Sequence, residues 1–309
     1  MNFAKMRVEA QNGWPNASEF QAEVKFAERL SLHGKEALFK PIRLAVIDDN
    51  DYQRCIGHLI DGMDALPYRP DYFFDHCFKV IDFCGASIIP GGGIKKVTEK
   101  LGVKLVASAE SEWTAIANQI AEHIPNPSLE YLAKRLLEPQ DDFHAQLRKR
   151  AEDCFSPNRF AQILLKYSGR SSEKSSGTPS TDAVKKFALF LKAYLHGKVQ
   201  NSRNKPSHAL LDLGNSANIP TAATRLRVIL SLLLFHVRNE RAHGESMSPF
   251  RTSKSKLERY RYYYFQMLVA YLLALGCLSL KWPEAVSAKQ LSAGFNDNIL
   301  LQENFFAGP

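Results

Sequence analysis

The chain has 309 residues, enough for one large domain or two of ordinary size. Hydrophobic residues make up 45% and charged residues 23%, which excludes a disordered chain that cannot build a core. A formal net charge of +8 favours anionic partners such as nucleic acid or a lipid surface.

The five cysteines, Cys55, Cys77, Cys84, Cys154 and Cys277, show no C-x-x-C spacing and are odd in number. A disulfide framework or zinc site is therefore not expected; buried, inert thiols and the reducing cytosol are.

From the N-terminus, the first fourteen residues lack an apolar stretch long enough for a signal peptide. Leu44 to Ile47 reads either as a short strand or as the approach to a helix. Asp48-Asp49 and Asp141-Asp142 do not suit a metal, because adjacent carboxylates diverge in a helix or strand; solvated surface or helix capping is expected. Arg69-Pro70-Asp71-Tyr72 through Asp82 reads as a well-capped helix. Gly91-Gly92-Gly93-Ile94-Lys95-Lys96 lacks the spacing and the following Ser or Thr of a phosphate loop, so it reads as a turn before a basic helix. From Glu110 to Leu137 the helical period is plain in Trp113, Ile116, Ile120, Ile124, Leu129, Leu132 and Leu136, broken at Pro125 and Pro127.

Ser168 to Asp182 is rich in Ser, Gly and Lys and nearly free of apolar residues, the composition of a flexible loop or linker. The expected organisation is thus a helical part at 1–167 with no assigned chemistry, a linker at 168–182, and a second helical part at 183–309. A further polar loop follows at Lys198 to Pro206. Three helices stand out beyond the linker: Asp182 to His196 with Thr181 or Asp182 as N-cap, a run from Thr221 ended by a C′ glycine at Gly244, and a span from Lys254 to Leu280. The stretch Phe265 to Leu280 contains Gln266 and is shorter than the roughly 20 residues of a membrane span, so a buried core helix is expected. The fold class is all-α, a helical bundle in two parts.

The end of the second run is the string Phe235-His236-Val237-Arg238-Asn239-Glu240-Arg241-Ala242-His243-Gly244. It resembles the HEPN signature, an arginine followed after four to six residues by a histidine, often R-N-x-x-x-H with a trailing glycine. The setting is similar too: the end of an apolar helix, then a loop and another long helix. The resemblance covers about residues 183–285. Arg203 and His208 repeat the bare spacing, but Pro206 lies inside it and a helix interior rejects proline. Arg69 and His76 match a looser gap that spans Pro70 and lacks the asparagine. Both are read as coincidence.

The residue types suit metal-free RNA cleavage. The 2′-hydroxyl attacks the neighbouring phosphorus and expels the 5′-oxygen, which needs proton transfer near neutral pH and positive charge on the phosphoryl oxygens. His243 is the candidate acid/base and Arg238 the electrostatic stabiliser. The two are five residues apart, about 140° around an ideal helix, so they do not share a face. Asn239 and His243 do, and Asn239 can orient the imidazole or bind phosphate. Arg238 then needs either a helix distortion or a second subunit to complete the site.

The resemblance implies an endoribonuclease of toxin or phage-defence type acting on single-stranded or anticodon-loop RNA. It also implies 2′,3′-cyclic phosphate and 5′-hydroxyl ends, a homodimer, and an antitoxin or regulatory protein as a further partner. Arg241, Arg251, Lys254 and Arg259 are candidate RNA-binding residues beside the site. No cofactor, metal or membrane is expected, and the location is cytoplasmic. The alternative is a HEPN-like module that binds RNA or a partner without cutting. A purely structural account also stands: Arg, His, Asn and Gly are all common at helix carboxyl ends.

Overall fold

The computed structural model describes residues 3–13, 15, 20–34, 36, 38–138, 145–168, 178–201, 206–245, 248–252 and 255–307. Among the described residues the regular elements are helices and none is a strand, so the fold is all-α. In chain order they are α1 Phe3–Asn12, α2 Gln21–His33, α3 Asn50–Met63, α4 Pro70–Ile88, α5 Gly93–Ser108, α6 Glu110–His123 and α7 Asn126–Leu137. There follow α8 Ala145–Phe155, α9 Pro157–Ser168, α10 Thr181–His196, α11 Ala222–Arg227, α12 Phe235–Ala242, α13 Leu257–Lys281 and α14 Ala288–Phe306. A π-helical segment, Val228–Leu234, runs from α11 into α12.

The contacts divide the chain into two compact units, Met1–Pro90 with Val237–Pro309, and Gly91–His236. The two ends of the chain build the first and its middle builds the second. The linker expected at 168–182 falls within the span of the second unit, and residues 169–177 of it lie outside the described residues. α10, which follows that stretch, packs on α6, α7 and α9, which precede it, so the helices on its two sides share one core.

In the first unit α13 is the central helix. Every residue from Tyr262 to Leu278 is buried, which follows from a sequence apolar nearly all round. α13 packs on α4, α14 and α2, and α4 packs on α3. Tyr260 lies face to face with Phe26 at 3.8 Å and with Phe250 at 3.9 Å. Such rings contribute about 1.5–3 kcal/mol each by burial. Tyr260 and the following Tyr262, Tyr263, Tyr264 and Phe265 are therefore core.

The helix containing Phe265 to Leu280 is longer than expected: α13 runs to 25 residues and is long and apolar enough to cross a bilayer, as is the stretch Ser216–Ala242. The most apolar parts of the two are 89% and 72% buried inside the protein, respectively.

α14 has no counterpart among the expected helices. It begins in a capping box, with Ser287 Oγ accepting from the Gln290 N–H at 3.2 Å and Gln290 Oε1 accepting from the Ser287 N–H at 3.0 Å. At its other end the Arg29 guanidinium of α2 donates to the carbonyls of Phe305 and Ala307, a cation on the negative end of the helix. Leu44 to Ile47, the expected strand or helix, belongs to an irregular segment at 39–49. It is fastened by side chains: Asn298 Oδ1 accepts from the Lys40 N–H at 2.8 Å, and the Tyr271 hydroxyl accepts from the Ile42 N–H at 3.0 Å. Asp49 is the N-cap of α3, accepting from the Tyr52 N–H at 2.8 Å, in line with the capping role expected of Asp48-Asp49. Asp141 and Asp142 lie outside the described residues.

In the second unit α10 packs on α7 and α11 on α5. The triglycine run is the turn that opens α5, with Gly91 and Gly93 at φ 77° and 58°, left-handed backbone that glycine adopts without strain. Pro125 separates α6 from α7, and Pro127 lies in the first turn of α7, where its missing N–H costs nothing. The N-cap of α10 is Ser180, which accepts from the Ala183 N–H at 3.1 Å, and not Thr181 or Asp182 as expected. The second run begins near Thr221 as expected, and Thr221 is its N-cap, accepting from the Thr224 N–H at 3.2 Å. Buried Arg225 donates to the carbonyls of Leu195 and His196 at the end of α10 and to Asn118 Oδ1.

Candidate functional site

The leucine-rich run before the motif is buried throughout from Val228 to Leu234 and adopts the wide i→i+5 turn of a π-helix. This distortion lies ahead of the motif and does not bring Arg238 and His243 onto one face, as the distortion expected between them would have done. The motif itself sits on the regular α-helix α12 and the turn after it.

That turn has a definite geometry. Gly244 is left-handed at φ 72°. Its N–H donates to the Arg241 carbonyl at 3.2 Å, and the Glu245 N–H donates to the Glu240 carbonyl at 2.9 Å. These two bonds make a Schellman motif, with His243 as the C-cap and Gly244 as C′. The terminating role expected of Gly244 is thus the observed one.

Arg241 has a structural assignment as well. Its Nε and Nη2 donate to Asp75 at 3.0 and 2.6 Å, and its Nη1 pairs with Asp71 at 3.0 Å. Asp71 is fully buried and also accepts from Arg69 at 2.7 Å. Burial disfavours the Arg241 charge, but the hydrogen bonds and charge of Asp75 and the charge of Asp71 outweigh it and hold the group above its ordinary pKa. The guanidinium fork proposed to meet phosphate is occupied by two carboxylates of α4.

Arg238, Asn239 and His243 are placed differently. Arg238 Nη1 donates to Asn239 Oδ1 at 3.2 Å, and the His243 N–H donates to the Asn239 carbonyl at 2.9 Å. Asn239 is thus bonded to both of the others, through its side chain and through its backbone. Arg238 and Asn239 are half-buried and His243 is exposed. Among the described residues, neither Arg238 nor His243 enters an ion pair, and the His243 ring makes no hydrogen bond.

The flanking cations are dispersed. Arg251 donates to Glu23 Oε1 at 2.9 Å, and Arg259 donates to the Tyr262 hydroxyl at 3.2 Å while lying over that ring. Lys254, and the Arg203 of the second bare motif, lie outside the described residues. A cavity of about 660 Å³ in the first unit is lined by Lys25, Arg29, Lys256 and Arg261 together with Glu28 and Glu258. Arg238, Asn239 and His243 do not line it.

Sequence reasoning did not find Asp71 and Asp75 as the anchors of the motif helix. Nothing local links them to Arg241, 166 residues beyond Asp75. Comparison with protein families, with curated proteins and with solved structures gives no match to this chain.

Proposed function

We propose that the chain is a metal-independent endoribonuclease of HEPN type, a toxin or phage-defence effector that cuts single-stranded or anticodon-loop RNA. The observation that carries this reading is a division of labour within one short string. Gly244 and Arg241 do the structural work of ending and anchoring the helix. Arg238, Asn239 and His243 remain at its solvent-facing end with no internal salt bridge to neutralise them. The helix end accounts for His243 as C-cap through its backbone, and leaves the His243 ring and the Arg238 guanidinium outside any ion pair among the described residues.

In this reading His243 moves the proton of the attacking 2′-hydroxyl or of the leaving 5′-oxygen. Arg238 lies against the phosphoryl oxygens, and Asn239 holds its guanidinium. The angular separation of Arg238 and His243 supports a homodimer in which a second copy completes each site. Arg251 and Arg259, with Lys254, guide the RNA. Five cysteines, all free and buried, support a reducing, cytoplasmic location.

The second reading is a HEPN-like module that binds RNA or a protein partner without cutting it. It is favoured by the motif's absence from the lining of the charged cavity.

The test is incubation of the purified protein with total RNA in excess EDTA, beside His243→Ala and Arg238→Ala. Discrete products with 2′,3′-cyclic phosphate ends are expected from the native chain. Each variant should lose about 10²-fold or more, the scale of one proton-transfer group or one transition-state donor. RNA retention without products would favour the second reading.

A further inference from the structure

His58 and Asp61, on α3, and His76, on α4, offer one ligand atom each, and these atoms all lie within 4.8 Å of one another. The pattern arises from helix geometry. Residues 58 and 61 are three apart and share a face of α3, and that face meets α4 at His76. The approach depends on Gly62. A Cβ there would stand 2.5 Å from Phe73 Cδ2 and 2.9 Å from His76 Cβ, so only glycine lets the two helices cross this closely.

The partners of His76 suit one tautomer. Nδ1 lies 3.0 Å from the His58 carbonyl, which can only accept, so in the neutral ring Nδ1 carries the hydrogen and Nε2 the lone pair. An independent contact agrees: the Lys79 ammonium, which can only donate, lies 3.2 Å from Nε2. An imidazole whose Nδ1–H is held by a backbone carbonyl while Nε2 points outward is the arrangement that orients metal-binding histidines. His58 and His76 are half-buried and Asp61 is exposed, which leaves room for water in a fourth position.

We propose that His58, Asp61 and His76 bind a divalent transition-metal ion of the zinc class. Two imidazoles and one carboxylate suit such an ion over calcium or magnesium, which prefer all-oxygen ligands. Ligand atoms around tetrahedral zinc stand about 3.3 Å apart, so the three side chains close by a small rotamer change. Lys79 Nζ lies against His76 Nε2, and the ion displaces it. The site is independent of the proposed ribonuclease chemistry, which runs in EDTA.

The full chain, stripped with EDTA and dialysed, is titrated with Zn²⁺ by calorimetry and with Co²⁺ by visible absorption. One equivalent per chain is expected, with the intense visible bands of a four-coordinate cobalt site. His58→Ala and His76→Ala should each weaken binding by at least about tenfold, the loss seen even for groups that only support a ligand. His33→Ala, an exposed histidine elsewhere, should bind as the native chain does. Lys79→Met keeps all three ligands and is expected to bind more tightly, which guards against reading misfolding as lost ligation. Undiminished binding in the His58→Ala, His76→Ala double variant would overturn the proposal. So would the absence of any one-equivalent binding in both the native chain and Lys79→Met.

Discussion

Arg241 and Asp75 form a two-pronged pair, Nε to Oδ1 at 3.0 Å and Nη2 to Oδ2 at 2.6 Å, with the third prong of the guanidinium on Asp71. The Arg241 side chain is 10% exposed and that of Asp71 0%. Removing Arg241 leaves buried Asp71 with Arg69 as its cation and half-buried Asp75 without its fork. Arg241→Ala is expected to cost about 1.5–3 kcal/mol in urea unfolding, the range for hydrogen bonds to charged groups. Arg241→Lys should recover only part of that, because a lysine cannot match two carboxylates with a planar fork. A loss below about 1 kcal/mol would class the cluster with surface pairs and return Arg241 to the candidates for RNA contact.

Gly244 faces open space, with no atom within 4 Å of a Cβ built there, yet its φ is 72°. Sterics therefore permit a side chain while the backbone resists one. Gly244→Ala should cost about 1–2 kcal/mol, the penalty of left-handed backbone for an L-residue. Gly244→Asn should cost less, since asparagine tolerates that region. Thermal unfolding of the two variants gives the order, and equal losses would mean that crowding, not φ, sets the penalty.

What the sequence made legible were features with local causes. The helix start near Thr221, Gly244 as C′, the break at Pro125 and the apolar girth of α13 each follow from a few neighbouring residues. The capping box at Ser287 and Gln290 is equally local, and its Ser-x-x-Gln spelling could have revealed α14. The triglycine run reads as a turn, and the junction between the two units falls at its first residue. The other junction, His236 to Val237, lies in the motif helix, where no change of composition marks it. The anchoring of Arg241 and the meeting of His58 with His76 depend on helix crossings. A chain pattern carries no signal for contacts of that kind. Among the proposed site residues, the sequence picked out the string but not which members of it are occupied.

All five cysteines are free and buried, and burial pushes the Cys154 thiol up to about 12. Its thiolate fraction at pH 8 is then about 10⁻⁴, and the thiolate is the species that reacts. Cys55 differs in direction: its hydrogen bond with Cys84 outweighs burial and lowers its pKa, while Cys84 is raised. A disulfide exchange reagent at pH 8 should label native protein slowly and five thiols after denaturation. Rapid native labelling of Cys154 would mean that its helix opens far more often than a packed core allows.

Gln266 is fully buried in the middle of α13, and neither its amide oxygen nor its amide nitrogen has a hydrogen-bond partner. An unsatisfied buried polar group costs about 1–3 kcal/mol relative to one that is bonded or absent. Methionine has nearly the same length and volume, so it fills the same space without polar atoms. Gln266→Met is accordingly expected to raise stability by about 1–3 kcal/mol, read as a shift of the urea midpoint at constant slope. Gln266→Ala, which removes the amide but leaves a hole, should lower it, because cavity formation outweighs the relief. If Gln266→Met instead destabilises the fold, the amide is bonded in solution. The most direct donor would then be a water held inside the helix bundle, and slow exchange of that water in magnetic-relaxation measurements would identify it.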